Sequence, residues 1–148
     1  MKKLMNILFA SLLFATGSQS FAQDVNAQDL ANSWITAYNA HNTAELASLY
    51  SEESILMLHG EETVRGRQDI SAYWANDFRE GNPITTLSVT HSINGRDLIL
   101  VHGNYQVIDR ETGLQLGSGR FAHMWMLNED EVWELDRDLW NDPFNPYN

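Results

Sequence analysis

Hydrophobic positions in the first third of the chain recur with helical spacing. Leu30, Trp34, Ala37, Tyr38 and His41 fall at i, i+4, i+7, i+8 and i+11, one stripe of a helix over residues 24–42. A break follows. Asn42 with Glu45 three residues on forms a capping pair, which predicts a second, short helix with the stripe Leu46, Leu49 and Tyr50. Residues 54–59 are apolar and read as a strand, and residues 61–66 as a turn and a short extended arm. Helical spacing returns over residues 67–79 with Ile70, Tyr73, Trp74 and Phe78, and Gly81-Asn82-Pro83 stops it.

Beyond Pro83 the period changes to two. Leu87, Val89, His91 and Ile93 alternate with Ser88, Thr90 and Ser92, and Asn94-Gly95 is a hairpin signal. A longer strand covers residues 97–108, and Glu111-Thr112-Gly113 marks the next turn. Residues 116–127 place Phe121, His123, Trp125 and Leu127 on one face. An acidic turn, residues 128–131, leads into a last strand over residues 132–141. Gly117-Ser118-Gly119 lacks the full nucleophile-elbow pattern and reads as a turn. The order helix, helix, strand, helix, then four hairpin-linked strands is α+β. About three N-terminal helices lie on one face of a curved, mostly antiparallel sheet.

Residues 1–22 stand apart from this pattern. Lys2 and Lys3 precede an apolar run of residues 4–16, and Ser20-Phe21-Ala22 supplies small residues at −3 and −1. This is the form of a secretory signal peptide cleaved before Gln23, leaving a single domain over residues 23–148. The run is shorter than the ~20 apolar residues of a spanning helix. The expected product is exported, periplasmic or secreted from a bacterium, and not held in a membrane.

Composition then removes chemistries. Of 148 residues, 9 are Lys or Arg and 20 are Asp or Glu, a net charge of −11. Both lysines lie in the leader. The remainder carries seven arginines against 20 acidic residues, a charge of −13. Such a surface repels phosphate backbones, so nucleic acid is not an expected partner. Without lysine past the leader there is no Schiff base or P-loop. With no cysteine there is no disulfide, thiolate nucleophile or cysteine metal site. The five histidines lack ligand spacing, so neither metal nor cofactor is expected. The acidity concentrates in Glu52-Glu53, Glu61-Glu62 and Glu129-Asp130-Glu131, which read as a solvated surface.

Several segments, in order and spacing, resemble the nuclear transport factor 2-like superfamily in its SnoaL-like and ketosteroid-isomerase-like branch. They are residues 34–42, Leu46-Ala-Ser-Leu-Tyr50 with Ser51-Glu-Glu-Ser54, Arg65-Gly66-Arg67 leading to Ile70 and Trp74, residues 121–125 and residues 133–141. The resemblance implies a cone-shaped fold in which the sheet curls around the helices and leaves an apolar pocket. It does not name a reaction, since the fold hosts isomerases, dehydratases, cyclases, epoxide hydrolases and binders.

Asp138, in Arg137-Asp138-Leu139-Trp140-Asn141, resembles the aspartate that is a general acid in limonene epoxide hydrolase-like members. Its alternative is a structural pair with Arg137, Arg120 or a backbone amide. Simple alternation puts Trp133 and Leu135 on one face and Asp136, Asp138 and Trp140 on the other. A bulge would let both Trp133 and Trp140 face inward. By motif spacing, His123 falls where ketosteroid isomerases carry their oxyanion-stabilising acid. It is either such a donor or a satisfied core histidine. Trp34 and Tyr38 lie one helical turn apart. Tyr38 can donate to a substrate oxygen, whereas an indole is donor-only. The isomerase base would fall at or beside Leu58, which cannot take a proton, and His59 follows it. No Arg-x-Asp strand pair like the epoxide hydrolase's is found, and His102-Gly103-Asn104 stands in that region.

Two readings result. In the first, Asp138, His123 and Tyr38 catalyse isomerisation, dehydration or hydration of a small, largely apolar molecule. The pocket is then lined by Trp34, His59, Trp74, Tyr105, Trp125, Trp140 and Asn141. In the second, the domain binds a ligand or a protein without catalysis. The strand face opposite His123 carries Ala122, Met124 and Met126, with Leu100 and His102 beside it. This predicts a homodimer through the outer sheet face.

Overall fold

A computed structural model describes residues 25–142, so the leader lies outside the described residues. The elements run α1 (Ala27–Asn39), α2 (Thr43–Ser48), β1 (Tyr50–Leu58), β2 (Val64–Arg65) and α3 (Arg67–Glu80). Then come β3 (Pro83–Asn94), β4 (Leu98–Asp109), β5 (Gln115–Leu127) and β6 (Trp133–Asn141). They form the expected cone, three helices against one open, curved sheet of order β2-β1-β6-β5-β4-β3.

Local chemistry sets the helix starts. The Asn26 side chain accepts from the Asp29 amide at 3.0 Å and caps α1. Asn42 accepts from the Glu45 amide at 3.2 Å and donates to the Glu45 carboxylate at 2.8 Å, the anticipated capping pair. α1 buries Leu30, Ala31, Trp34, Ala37 and Tyr38 and packs on β3 and β4. The sheet answers with Leu87, Ile99, Val101, Phe121 and Trp125, all buried. Full burial of each large apolar side chain contributes about 1.5–3 kcal/mol.

Tyr50 departs from expectation. It is the first residue of β1 and not the end of the second helix. Only Leu49 separates α2 from β1, and its carbonyl accepts from the Leu135 amide at 2.7 Å. That bond opens a parallel ladder between β1 and β6 that joins Ile55 to Arg137 and Leu58 to Trp140. Arg67 locks the corner beside it. Its Nε donates to the Tyr50 carbonyl at 2.6 Å, and its guanidinium pairs with Glu52 and, at 2.9 Å, with Glu134.

β6 contains the bulge. Trp125 faces Leu135 while Met124 faces Arg137, so one extra residue, Asp136, is inserted in β6. The insertion turns Leu135, Asp138 and Trp140 all inward, and Trp133 is half-buried against the core. Gly117-Ser118-Gly119 is not a turn. It pairs inside β5 opposite Val107, Gln106 and Tyr105. A Cβ on Gly119 would lie 2.0 Å from the Asn141 carbonyl oxygen and 2.8 Å from the Tyr105 ring. Only glycine admits that approach.

Candidate functional site

The cone holds two polar layers. The outer one is an open pocket of about 410 Å³ between α1, α3 and the ends of the strands. α1 contributes Trp34 and Tyr38, and α3 contributes Tyr73, Trp74, Asp77 and Glu80. The sheet adds Leu58, Tyr105, Val107 and Trp140. Helical spacing explains the helix contributions, since Tyr73 to Asp77 and Trp34 to Tyr38 are each one turn. The rings pack on one another. Trp34 and Tyr38 stack at 4.8 Å, and Trp74 stands edge-on to Tyr38 at 5.5 Å. Tyr105 stands edge-on to Trp140 at 4.8 Å.

Three tyrosines of this pocket each donate to a carboxylate that also lines it. Tyr38 reaches Asp77 at 2.6 Å, Tyr73 reaches Glu61 at 3.1 Å and Tyr105 reaches Asp142 at 2.8 Å. Burial, and then the neighbouring carboxylates, push all three phenols far above their ordinary pKa. They therefore remain donors at physiological pH.

The inner layer lies beneath this pocket and does not line it. Tyr50, His123 and Asp138 are fully buried. The Tyr50 hydroxyl donates to Asp138 Oδ2 at 2.6 Å. Its oxygen accepts the indole N–H of Trp34 at 2.9 Å and that of Trp74 at 3.0 Å. One donor and two acceptor sites are a phenol's full capacity, and all are used. Burial and then the Asp138 charge hold the Tyr50 phenol well above its ordinary pKa. On the far side of the carboxylate, His123 Nε2 lies 3.3 Å from Asp138 Oδ1. Neither atom makes a hydrogen bond. Trp34 and Trp140 both pack on the His123 ring, at 5.7 and 5.6 Å.

The residues singled out from sequence thus divide. Tyr38, Trp34, His59, Trp74, Tyr105 and Trp140 line the pocket. Asp138, His123 and Trp125 are buried beneath it, and Asp138 meets Tyr50 rather than an arginine or a backbone amide. Asn141 is exposed and borders a second depression, of about 630 Å³, with Met57, His102 and Arg120, and Leu58, His59 and Trp140 line both. Asp138, His123 and Tyr38 do not converge on one cavity, because Tyr38 turns to Asp77. Tyr50, Glu61, Tyr73, Asp77 and Asp142 were not anticipated. Tyr73 stood in the α3 stripe and Asp77 one turn on, which was a usable signal. Their partners lie 12 and 39 residues away, which no local pattern reveals. Among the described residues, no group of three His, Asp or Glu side chains is placed to hold a metal ion. No helix among them is long and apolar enough to cross a membrane.

The SnoaL-like domain family matches residues 31–135. The chain belongs to this family. Solved structures carry the same fold at low identity. A ketosteroid isomerase-like protein from Erwinia carotovora atroseptica is 14% identical with a TM-score of 0.67, over 80% of this chain and 94% of that one. An NTF2-like protein of unknown function from Pseudomonas putida is 15% identical with a TM-score of 0.69, over 80% and 85%. A putative calcium/calmodulin-dependent protein kinase type II association domain from Thiobacillus denitrificans is 10% identical with a TM-score of 0.70, over 80% and 96%. No curated protein matches the chain. At these identities the likeness establishes the SnoaL-like architecture and no activity.

Proposed function

We propose that this SnoaL-like protein is exported and that its outer pocket binds a small, largely apolar molecule. The observation that carries the reading is the pocket itself. Its ~410 Å³ falls within the range of small-molecule sites, with aromatic walls and a few convergent polar groups. Export is supported by the basic-apolar leader ending in Ser20-Phe21-Ala22. Binding without catalysis through Asp138 and His123 is favoured because both are fully buried, His123 against the rings of Trp34 and Trp140 and Asp138 against the Tyr50 hydroxyl. Neither side chain lines the pocket.

A second reading, acid–base catalysis, rests on one different observation. The Tyr38 hydroxyl and the Asp77 carboxylate form a 2.6 Å hydrogen bond and both line the pocket. A ligand oxygen could take the Tyr38 proton as a hydrogen bond while Asp77 serves as base.

The test is a ligand screen read by tryptophan fluorescence, repeated on Gly117→Phe. Gly117 lines the pocket and an added Cβ there meets nothing within 4 Å, so the position has room for a side chain to start. Hits that bind wild type and lose binding in Gly117→Phe support the pocket. Hits that bind both proteins equally place the ligand elsewhere and refute it. Turnover of a bound hit that is lost in Asp77→Asn would favour the catalytic reading.

A further inference from the structure

The second depression lies on the outer face of the sheet, and strand register sorts its lining by chemistry. We propose that it is a separate binding site, for a monoanionic carboxylate carried on an alkyl body.

Two rows of side chains cross the strands there. Asn104, Arg120 and Asn141 are direct partners on β4, β5 and β6. Two residues along each strand, and so on the same face, His102, Ala122 and Leu139 are direct partners in turn. Met57 of β1 extends that second row beyond Leu139. All seven residues line the depression of about 630 Å³. One row is thus a guanidinium between two amides, and the other is mainly apolar. Leu139 is 38% exposed, so the apolar row has surface left to bury.

Arg120 is free to take a ligand. Arg67, Arg96 and Arg137 pair with carboxylates. Arg79 donates to the Asn76 amide oxygen, and Arg110 to the Asn39 carbonyl. Among the described residues, Arg120 has no ion pair or hydrogen bond, and neither has Arg65, which lines neither cavity. The side chains of Asn104 and Asn141 are equally unengaged. No Asp or Glu lines the depression, although the chain holds 20 of them. The general acidity of the protein therefore stops short of this site.

That donor set selects the head group. A guanidinium takes a carboxylate through two parallel N–H groups, and an amide on either side adds further donors. One fixed positive charge suits a monoanion. A phosphate dianion would bring more negative charge to a chain of net charge −11. The alkyl body would lie over Ala122, Leu139 and Met57, across two strand spacings or about 10 Å.

The site differs from the outer pocket, although Leu58, His59 and Trp140 form a wall common to both. It also occupies one end of the outer face. Met124 and Met126 stand further along β5, about 13 and 20 Å from Arg120 by strand rise.

Octanoate, octanol and octyltrimethylammonium share an alkyl body and differ in head charge. Their binding to the full chain is measured by calorimetry on wild type, Arg120→Met and Gly117→Phe. Arg120 is exposed and unpaired, so its exchange is chosen to keep the fold, which thermal melts verify. Octanoate is expected to bind wild type saturably and about fivefold more tightly than octanol. That advantage should vanish in Arg120→Met and persist in Gly117→Phe. Equal or tighter binding of octanol or of the cation would overturn the carboxylate. Octanoate binding unchanged in Arg120→Met would overturn the site. Octanoate binding lost in Gly117→Phe would do the same by placing the ligand in the outer pocket, and would leave the pocket reading standing. No saturable octanoate binding, whether the face is bare or covered by a second copy, would overturn the proposal as well.

Discussion

Tyr50 and Asp138 are 88 positions apart in sequence, and their side chains meet at 2.6 Å in the centre of the cone. The same hydroxyl receives the indoles of Trp34 and Trp74, whose rings form part of the pocket wall. A single buried oxygen thus ties α1, α3, β1 and β6 to one point. The pocket inherits its shape from that point.

Tyr50→Phe removes the hydroxyl and keeps the ring. It leaves two indole N–H groups and one carboxylate oxygen without their partner. Each buried unsatisfied group costs about 1–3 kcal/mol. A loss of about 3 kcal/mol or more is expected in urea unfolding. A loss under about 1 kcal/mol would show that the hydroxyl is not the hub.

Alkaline pH should unfold the protein before Tyr38, Tyr50, Tyr73 and Tyr105 ionise. Burial and neighbouring carboxylates raise the phenols of Tyr38, Tyr50, Tyr73 and Tyr105 above the ordinary tyrosine pKa of about 10. Their contribution is complete below pH 10, and is lost as pH rises from there toward the folded values, because only the unfolded chain then releases protons. Each proton so released costs about 1.4 kcal/mol per pH unit. Tyrosinate absorbance is expected to rise together with the loss of circular dichroism. Early titration of these four in the folded protein would contradict this.

Gly119→Ala and Gly117→Ala should separate sharply. The first puts a Cβ 2.0 Å from the Asn141 carbonyl oxygen, and the second meets nothing within 4 Å. Overpacking of this kind costs about 1–3 kcal/mol or more. Thermal melts should show Gly119→Ala well below wild type and Gly117→Ala close to it. Equal melts would mean that β5 and β6 can part at that point without loss.

Self-association is expected through the outer sheet face. Ala122, Met124 and Met126 lie there half-buried, and Leu139 is 38% exposed beside them. Light scattering at micromolar concentration should report a dimer, and Met124→Glu a monomer. A monomeric wild type would remove the proposal.

Helices and hairpins were legible because their signals are local. The α1 stripe, the Asn42–Glu45 cap and the Asn94-Gly95 turn each need only a few neighbouring residues. Tyr50 was misplaced for a physical reason. Leu46, Leu49 and Tyr50 fit i, i+3, i+4, and nothing nearby says that a strand 85 residues later takes Tyr50 into a parallel ladder with Leu135. The orientation of Asp138 depended on a one-residue bulge at Asp136, invisible to simple alternation. The tyrosine–carboxylate pairs of the pocket were missed because hydrogen bonds between distant elements leave no periodic trace.

The parallel pairing of β1 with β6 also governs when the protein can fold. β6 is the final strand among the described residues, so β1 cannot find its parallel neighbour until β6 has been made. Trp140 and Asp142 close the pocket from that same final segment. Long sequence separation between partners slows folding, since the intervening loop must be closed first. Until β6 emerges, the nascent chain lacks both the floor of its cone and the partner of its buried tyrosine.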